Sequence, residues 1–221
     1  METLTLIRSR NKKGLKRQKR KIRDHKLIVV ATEGADTEKL YLELFDISRV
    51  KIIPIPNREN KSAPQHIISN LNEFIQNGGF EEEKEKYEFI DEDEFWLMID
   101  VDRWTRNNTI HNFVAVVREA KSKGFQLAIS NPSIEMWLYL HFQDLKEEDH
   151  NQNNKYFEEK LKDYLGGYSK TNIPKDLYLD KVEDAIRRAK KLDQNSVPSM
   201  RWPENPGSHV YKLVENILKG S

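Results

Sequence analysis

Residues 94–102 read Glu-Phe-Trp-Leu-Met-Ile-Asp-Val-Asp, an apolar run that closes on two carboxylates spaced i, i+2, Asp100 and Asp102. Alternate residues of a strand share a face, so both carboxylates could reach one cation. An earlier apolar run, Leu27 to Thr32, ends in Glu33-Gly34. Strand ends are where an α/β sheet gathers its ligands, and in a doubly wound sheet the first and third strands are commonly neighbours. Glu33, Asp100 and Asp102 are therefore predicted to converge. Hard oxygen donors of this kind suit Mg²⁺ or Mn²⁺, which retain water and bridge to phosphate oxygens, and the chemistry they point to is phosphoryl transfer.

Two further residues join this candidate set. Glu135 lies at the start of a mostly apolar segment, Ile134 to Phe142. Its charge either caps a helix or faces the polar site, because burying it unpaired would be costly. Lys170 follows Gly166-Gly167, a flexible connection able to bring a cation to a phosphate. His141 falls on the opposite side of its helix from Glu135 and reads as a core histidine. His209, in the turn Asn205-Pro-Gly-Ser-His209, reads as a surface histidine, with Ser208 as a helix cap. Neither phosphate-binding loop, Gly-x-x-x-x-Gly-Lys-Ser/Thr or Gly-x-Gly-x-x-Gly, is present, so nucleotide binding by those devices is unsupported.

The elements that must position these residues follow from periodicity. Strands are predicted at 26–32, 50–56, 95–101 and 125–130, the second on an edge because of its prolines. Helices are predicted at 36–46, where Asp36 caps the start, and at 62–76, 110–123 and 132–142, with a polar loop over 104–108. Strand and helix alternate, which implies α/β architecture: a parallel sheet of about four strands flanked by helices. From 143 onward no strand signal appears, and 144–165, 179–193 and 208–218 read as helices. The expected organisation is an arm over 1–26, an α/β core over 27–142 and a helical C-terminal part over 143–221.

Composition narrows the function further. The chain has 221 residues, no cysteine and a net charge of +1, which excludes disulfides and thiolate metal sites. That small charge hides an asymmetry: residues 1–26 carry eleven Lys/Arg against two acids, so the remainder carries −8. Such an arm suits nucleic acid, and Arg17, Lys19, Arg20, Lys21 and Arg23 are its candidate contacts. A solvated tail is the plainer alternative. With no apolar span and no cleavage-type leader, a cytoplasmic protein is expected.

In their order, these pieces resemble the RloB-like family, associated with restriction loci and abortive phage resistance. The matching stretches are the arm, Leu27-Ile-Val-Val with Glu33-Gly34 and Thr37-Glu38, Trp96 to Asp102, Ser130-Asn-Pro through Glu135 to His141-Phe142, Tyr168-x-Lys170, and Asn205 to Val214. The resemblance implies a Toprim-like (Rossmann-like) core in which Glu33, Asp100 and Asp102 hold Mg²⁺, with Glu135 as a further candidate ligand. It also implies a nuclease acting on DNA or RNA in antiphage defence, beside an ABC-type ATPase partner. The chain has no room for the tyrosine-bearing domain of a topoisomerase. Two rival readings are a non-catalytic nucleic-acid-binding subunit of an ATPase complex, and a phosphatase of the haloacid dehalogenase type. The second fits poorly, since its motif belongs on a first strand. A homo-oligomer, and either DNA or RNA as the nucleic acid, are compatible with this reading.

Overall fold

The structure is a computed structural model that describes residues 23–57, 65–80, 86–105, 110–195 and 202–220. Among these, the strands are β1 (Lys26–Thr32), β2 (Val50–Ile55), β3 (Glu94–Asp100), β4 (Gln126–Asn131) and β5 (Gly207–Ser208). They form one sheet in the order β2-β1-β3-β4-β5. The first four run parallel and β5 runs antiparallel to β4. This is the expected mixed α/β architecture with one correction: a strand does occur beyond residue 143. Two residues carry no periodicity of their own, and β5 owes its conformation to pairing with Ser130 and Asn131.

The helices are α1 (Thr37–Leu42), α2 (Gln65–Asn77), α3 (Asp102–Thr105), α4 (Ile110–Ser122), α5 (Ile134–Tyr139), α6 (Asn154–Leu165), α7 (Lys175–Leu179), α8 (Val182–Asn195) and α9 (Val210–Leu218). None is long and apolar enough to cross a membrane, among the described residues. The strands sort their side chains by parity. Leu27, Val29, Ala31, Leu97 and Ile99 pack with α2 and α4, whereas Ile28, Val30, Trp96 and Met98 pack with α1, α5, α8 and α9. Burial on both faces explains why these strands read as continuous apolar runs rather than as alternation. The chain steps one way from β1 to β2 and the other way from β3 to β4. Crossovers of one hand therefore put α1 and α4 on opposite faces, as observed.

Local differences from the expected elements have physical causes. Asp36 stands at the N-cap of α1 without a side-chain cap bond, so proximity in sequence did not translate into capping geometry. The loop expected from Trp104 begins instead as α3, which Trp104 anchors by burying its ring at 3 % exposure. Pro132 precedes α5 after a cis peptide bond rather than opening the helix. The N-cap of α9 is His209 rather than Ser208 and makes no side-chain cap bond, although the Ser208 hydroxyl, one residue earlier, accepts the Val210 N–H at 3.1 Å.

The strand ends away from the carboxylates are closed by Asp93. Its carboxylate accepts the Leu27 N–H and the Ile90 N–H, each at 2.9 Å, and a bond from the Arg23 guanidinium at 2.6 Å. Arg23 is thus a structural partner of a buried carboxylate, which corrects its assignment to a free basic arm. Arg17, Lys19, Arg20 and Lys21 lie outside the described residues. Asp93→Ala is expected to cost about 3 kcal/mol, since it strips a half-buried cation and two N–H donors of one buried acceptor group. Urea unfolding of the variant measures this directly.

Candidate metal centre

Because β1 pairs with β2 on one side and β3 on the other, the sheet changes direction between β1 and β3. Chains leaving the carboxyl ends of these two strands diverge to opposite faces and open a crevice. Glu33 and Asp100 stand at its two lips.

Glu33 is held by backbone and side chain together. Its N–H donates to Met98 O at 3.0 Å, which extends the β1–β3 ladder by one residue. Its Oε2 accepts the Asp100 N–H at 3.1 Å and the Trp104 indole N–H at 3.4 Å. The Glu33 carboxylate is therefore bonded directly to the backbone of Asp100, although 67 residues separate them. Asp102 opens α3, and its N–H donates to Pro132 O at 3.0 Å. That bond ties the end of β3 to the turn before α5, which delivers Glu135.

Glu135 is 3 % exposed, and the two alternatives left by the sequence resolve toward the polar side. Its Oε2 accepts the Ser133 hydroxyl at 2.7 Å and its Oε1 pairs with Lys170 Nζ at 3.0 Å. Lys170 also reaches Glu158 Oε2 at 3.3 Å, and its carbonyl accepts the Thr37 hydroxyl at 3.2 Å. The glycine-rich connection is thereby pinned to the start of α1. Burial alone would lower the Lys170 ammonium, but Glu135 and Glu158 more than offset it and hold the group above its ordinary value.

Glu38 is the member that sequence reasoning missed. It lies in the first turn of α1, 5 % exposed, and its Oε1 accepts the Gly34 N–H at 3.1 Å. An acid in a first helical turn is ordinarily a dipole partner in solvent, so type and place alone do not single it out, although the Thr37-Glu38 pair is part of the family resemblance. Gly34 was the usable clue: a methyl group there would stand 2.7 Å from the Glu38 carboxyl carbon. Gly34→Ala is expected to displace Glu38 and destabilise the fold by about 1–3 kcal/mol, read by urea unfolding.

The five carboxylates form one electrostatic unit. Burial holds the Asp100 carboxyl well above the usual carboxylate range, and Glu38, Glu33, Glu135 and Asp102 push it higher in turn. Among the described residues no three acidic or histidine side chains already stand as a metal-holding set. The donor chemistry nonetheless fits a hard divalent cation: every donor is a carboxylate, and Asp100 carries the cost of crowded like charge that such an ion relieves.

The two histidines stand apart from this unit. His141 is 1 % exposed, and its Nδ1 faces Trp137 O at 3.1 Å, a group that only accepts. Nδ1 therefore carries the proton and Nε2 accepts from the Tyr41 hydroxyl at 3.2 Å. Burial pushes its pKa down to about 4, so it is a neutral core histidine as expected. His209 pairs with Asp193 at 3.0 Å and is partly buried rather than a surface group.

A family model described as RloB-like protein matches residues 28–217. The chain belongs to the RloB-like family. The matched span includes Glu33, Glu38, Asp100, Asp102, Glu135 and Lys170, and begins after Arg23. In this RloB-like chain the carboxylate unit is thus part of the family domain, while the basic arm precedes it. No curated protein and no solved structure matches the chain.

Proposed function

We propose that this RloB-like protein is a Mg²⁺- or Mn²⁺-dependent nuclease that cuts phosphodiesters in DNA or RNA as an effector of antiphage defence. The observation that carries the reading is the grouping of four carboxylates around that of Asp100 at the sheet's switch point. Glu33, Asp100 and Asp102 would hold the cation, with Glu38 and Glu135 beside them. The ion, when bound, supplies charge neutralisation at a phosphate and a more acidic water.

The chain's own groups do the positioning. The Asp100 N–H and the Trp104 indole fix the Glu33 carboxylate, and Ser133 with Lys170 fixes Glu135. Lys170, 46 % exposed and paired with Glu135, would meet an anionic substrate there. Residues 1–22 bring Arg17, Lys19, Arg20 and Lys21 as sequence-independent contacts to a polyanion that the acidic body would otherwise repel. A Toprim-like relationship, a cytoplasmic location and an ABC-type ATPase partner belong to this same proposal through the family resemblance.

Incubation of the protein with labelled DNA and with total RNA, under Mg²⁺, Mn²⁺ or chelator, tests the reading. Metal-dependent cleavage of either polymer supports it. Nucleic-acid binding without cleavage under every metal, unchanged when Glu33, Asp100 and Asp102 are all replaced, favours the non-catalytic subunit instead.

A further inference from the structure

A cavity of about 300 Å³ opens beside the carboxylate rim, between the end of α5, the segment before α6, α8 and the residues leading into β5. Its position follows from strand register. Asp100 pairs with Ser130, Ser130 pairs with Ser208, and Gly207 forms part of the cavity wall. Two strand spacings, about 10 Å, therefore separate the backbone at Asp100 from the cavity. A single strand of nucleic acid covers that distance within a few nucleotides.

The lining has two kinds of surface. Leu140, Leu145, Leu192, Pro203 and Pro206 supply apolar walls. Of the three acids around it, Asp193 is engaged with His209, Tyr211 and Lys212, and Asp144 with Arg188 at 3.5 Å, while Glu204 is exposed at the edge and leaves the phosphate to the Lys191 side. Arg188 is itself committed to the carbonyls of Leu140 and His141, at 2.7 and 3.0 Å. Lys191, by contrast, is exposed and has no ion-pair partner among the described residues, and His150 stands exposed on the same lining. An apolar slot with a free ammonium at its edge matches a planar base carrying a phosphate.

We propose that this cavity is a nucleotide subsite, receiving a base and phosphate of the substrate strand close to the bond that is cut. The proposal rests on the nuclease reading for its purpose but not for its test. Each nucleoside 5′-monophosphate is titrated into the metal-free protein, and the methyl resonances of Leu145 and Leu192 are followed by NMR. At least one nucleotide is expected to shift both residues saturably. Lys191→Glu, a surface change that leaves the fold intact, is expected to weaken that binding about tenfold. Leu192→Trp, which fills the slot and leaves the Leu145 methyls as the reporter, is expected to abolish it. The proposal is overturned if no nucleotide moves these methyls, or if the shifts persist unweakened in both variants. Since the readout needs neither metal nor cleavage, a protein that binds nucleotides here yet cuts nothing counts against the nuclease reading alone.

Discussion

Asp100→Asn is expected to lower nuclease activity about a thousandfold while leaving the fold intact, because it removes a charged donor at the centre of the carboxylate unit and keeps its shape. The same substitution should change stability in the opposite direction. The Asp100 carboxyl is held above its ordinary value by burial and then by Glu38, Glu33, Glu135 and Asp102. With its folded pKa raised, the native state keeps a proton that the unfolded chain has released. Stability is accordingly present below the ordinary carboxylate range and lost as pH rises through the folded value, by about 1.4 kcal/mol per pH unit for one proton. In metal-free buffer, urea unfolding between pH 4 and pH 8 should show this fall in the parent protein and a flatter profile in Asp100→Asn. A variant that cuts like the parent would remove Asp100 from the chemistry. Equal pH profiles would show that the crowding of charge is not felt by the fold.

The second large effect concerns the cation itself. A divalent ion that binds the native rim and not the unfolded chain stabilises by about 2.7 kcal/mol at a hundred times its Kd. For a chain of this size that is a rise in Tm of about 5–10 °C. The rise should be large at neutral pH and shrink at acid pH, where protonated Asp100 no longer offers a charged donor. It should also be lost in Asp100→Asn. Thermal melts with Mg²⁺, Mn²⁺ and chelator across that pH range measure both dependences. A rise of equal size in the parent and the variant would place the stabilising ion elsewhere.

The parts of this fold legible in the sequence were those dictated by burial on both faces of a parallel sheet. Four apolar runs with helices between them marked β1 to β4, and the prolines of 50–56 correctly put β2 on an edge. Adjacency of the first and third strands brought Glu33 to Asp100, now seen as a 3.1 Å bond from the Asp100 N–H. What escaped was imposed by tertiary context. β5 forms because β4 has an open edge there, not because Gly207 and Ser208 favour a strand. α3 forms because Trp104 finds a buried niche and bonds Glu33 with its indole. Glu38 looked like any acid at a helix start, and Arg23 looked like one more residue of a basic arm until Asp93 was seen to claim it. In each case the residue type was ordinary, and only the partner distinguished it.

The account stands on the claim that carboxylates gathered from β1, α1, β3, α3 and α5 hold one class of cation at the switch point of the sheet. Anomalous diffraction from crystals soaked in Mn²⁺ tests it most directly. A Mn²⁺ peak ligated by Asp100 together with Glu33 or Asp102 is the result expected. Fully soaked crystals with no peak at that rim, or with the metal bound only elsewhere, would contradict it.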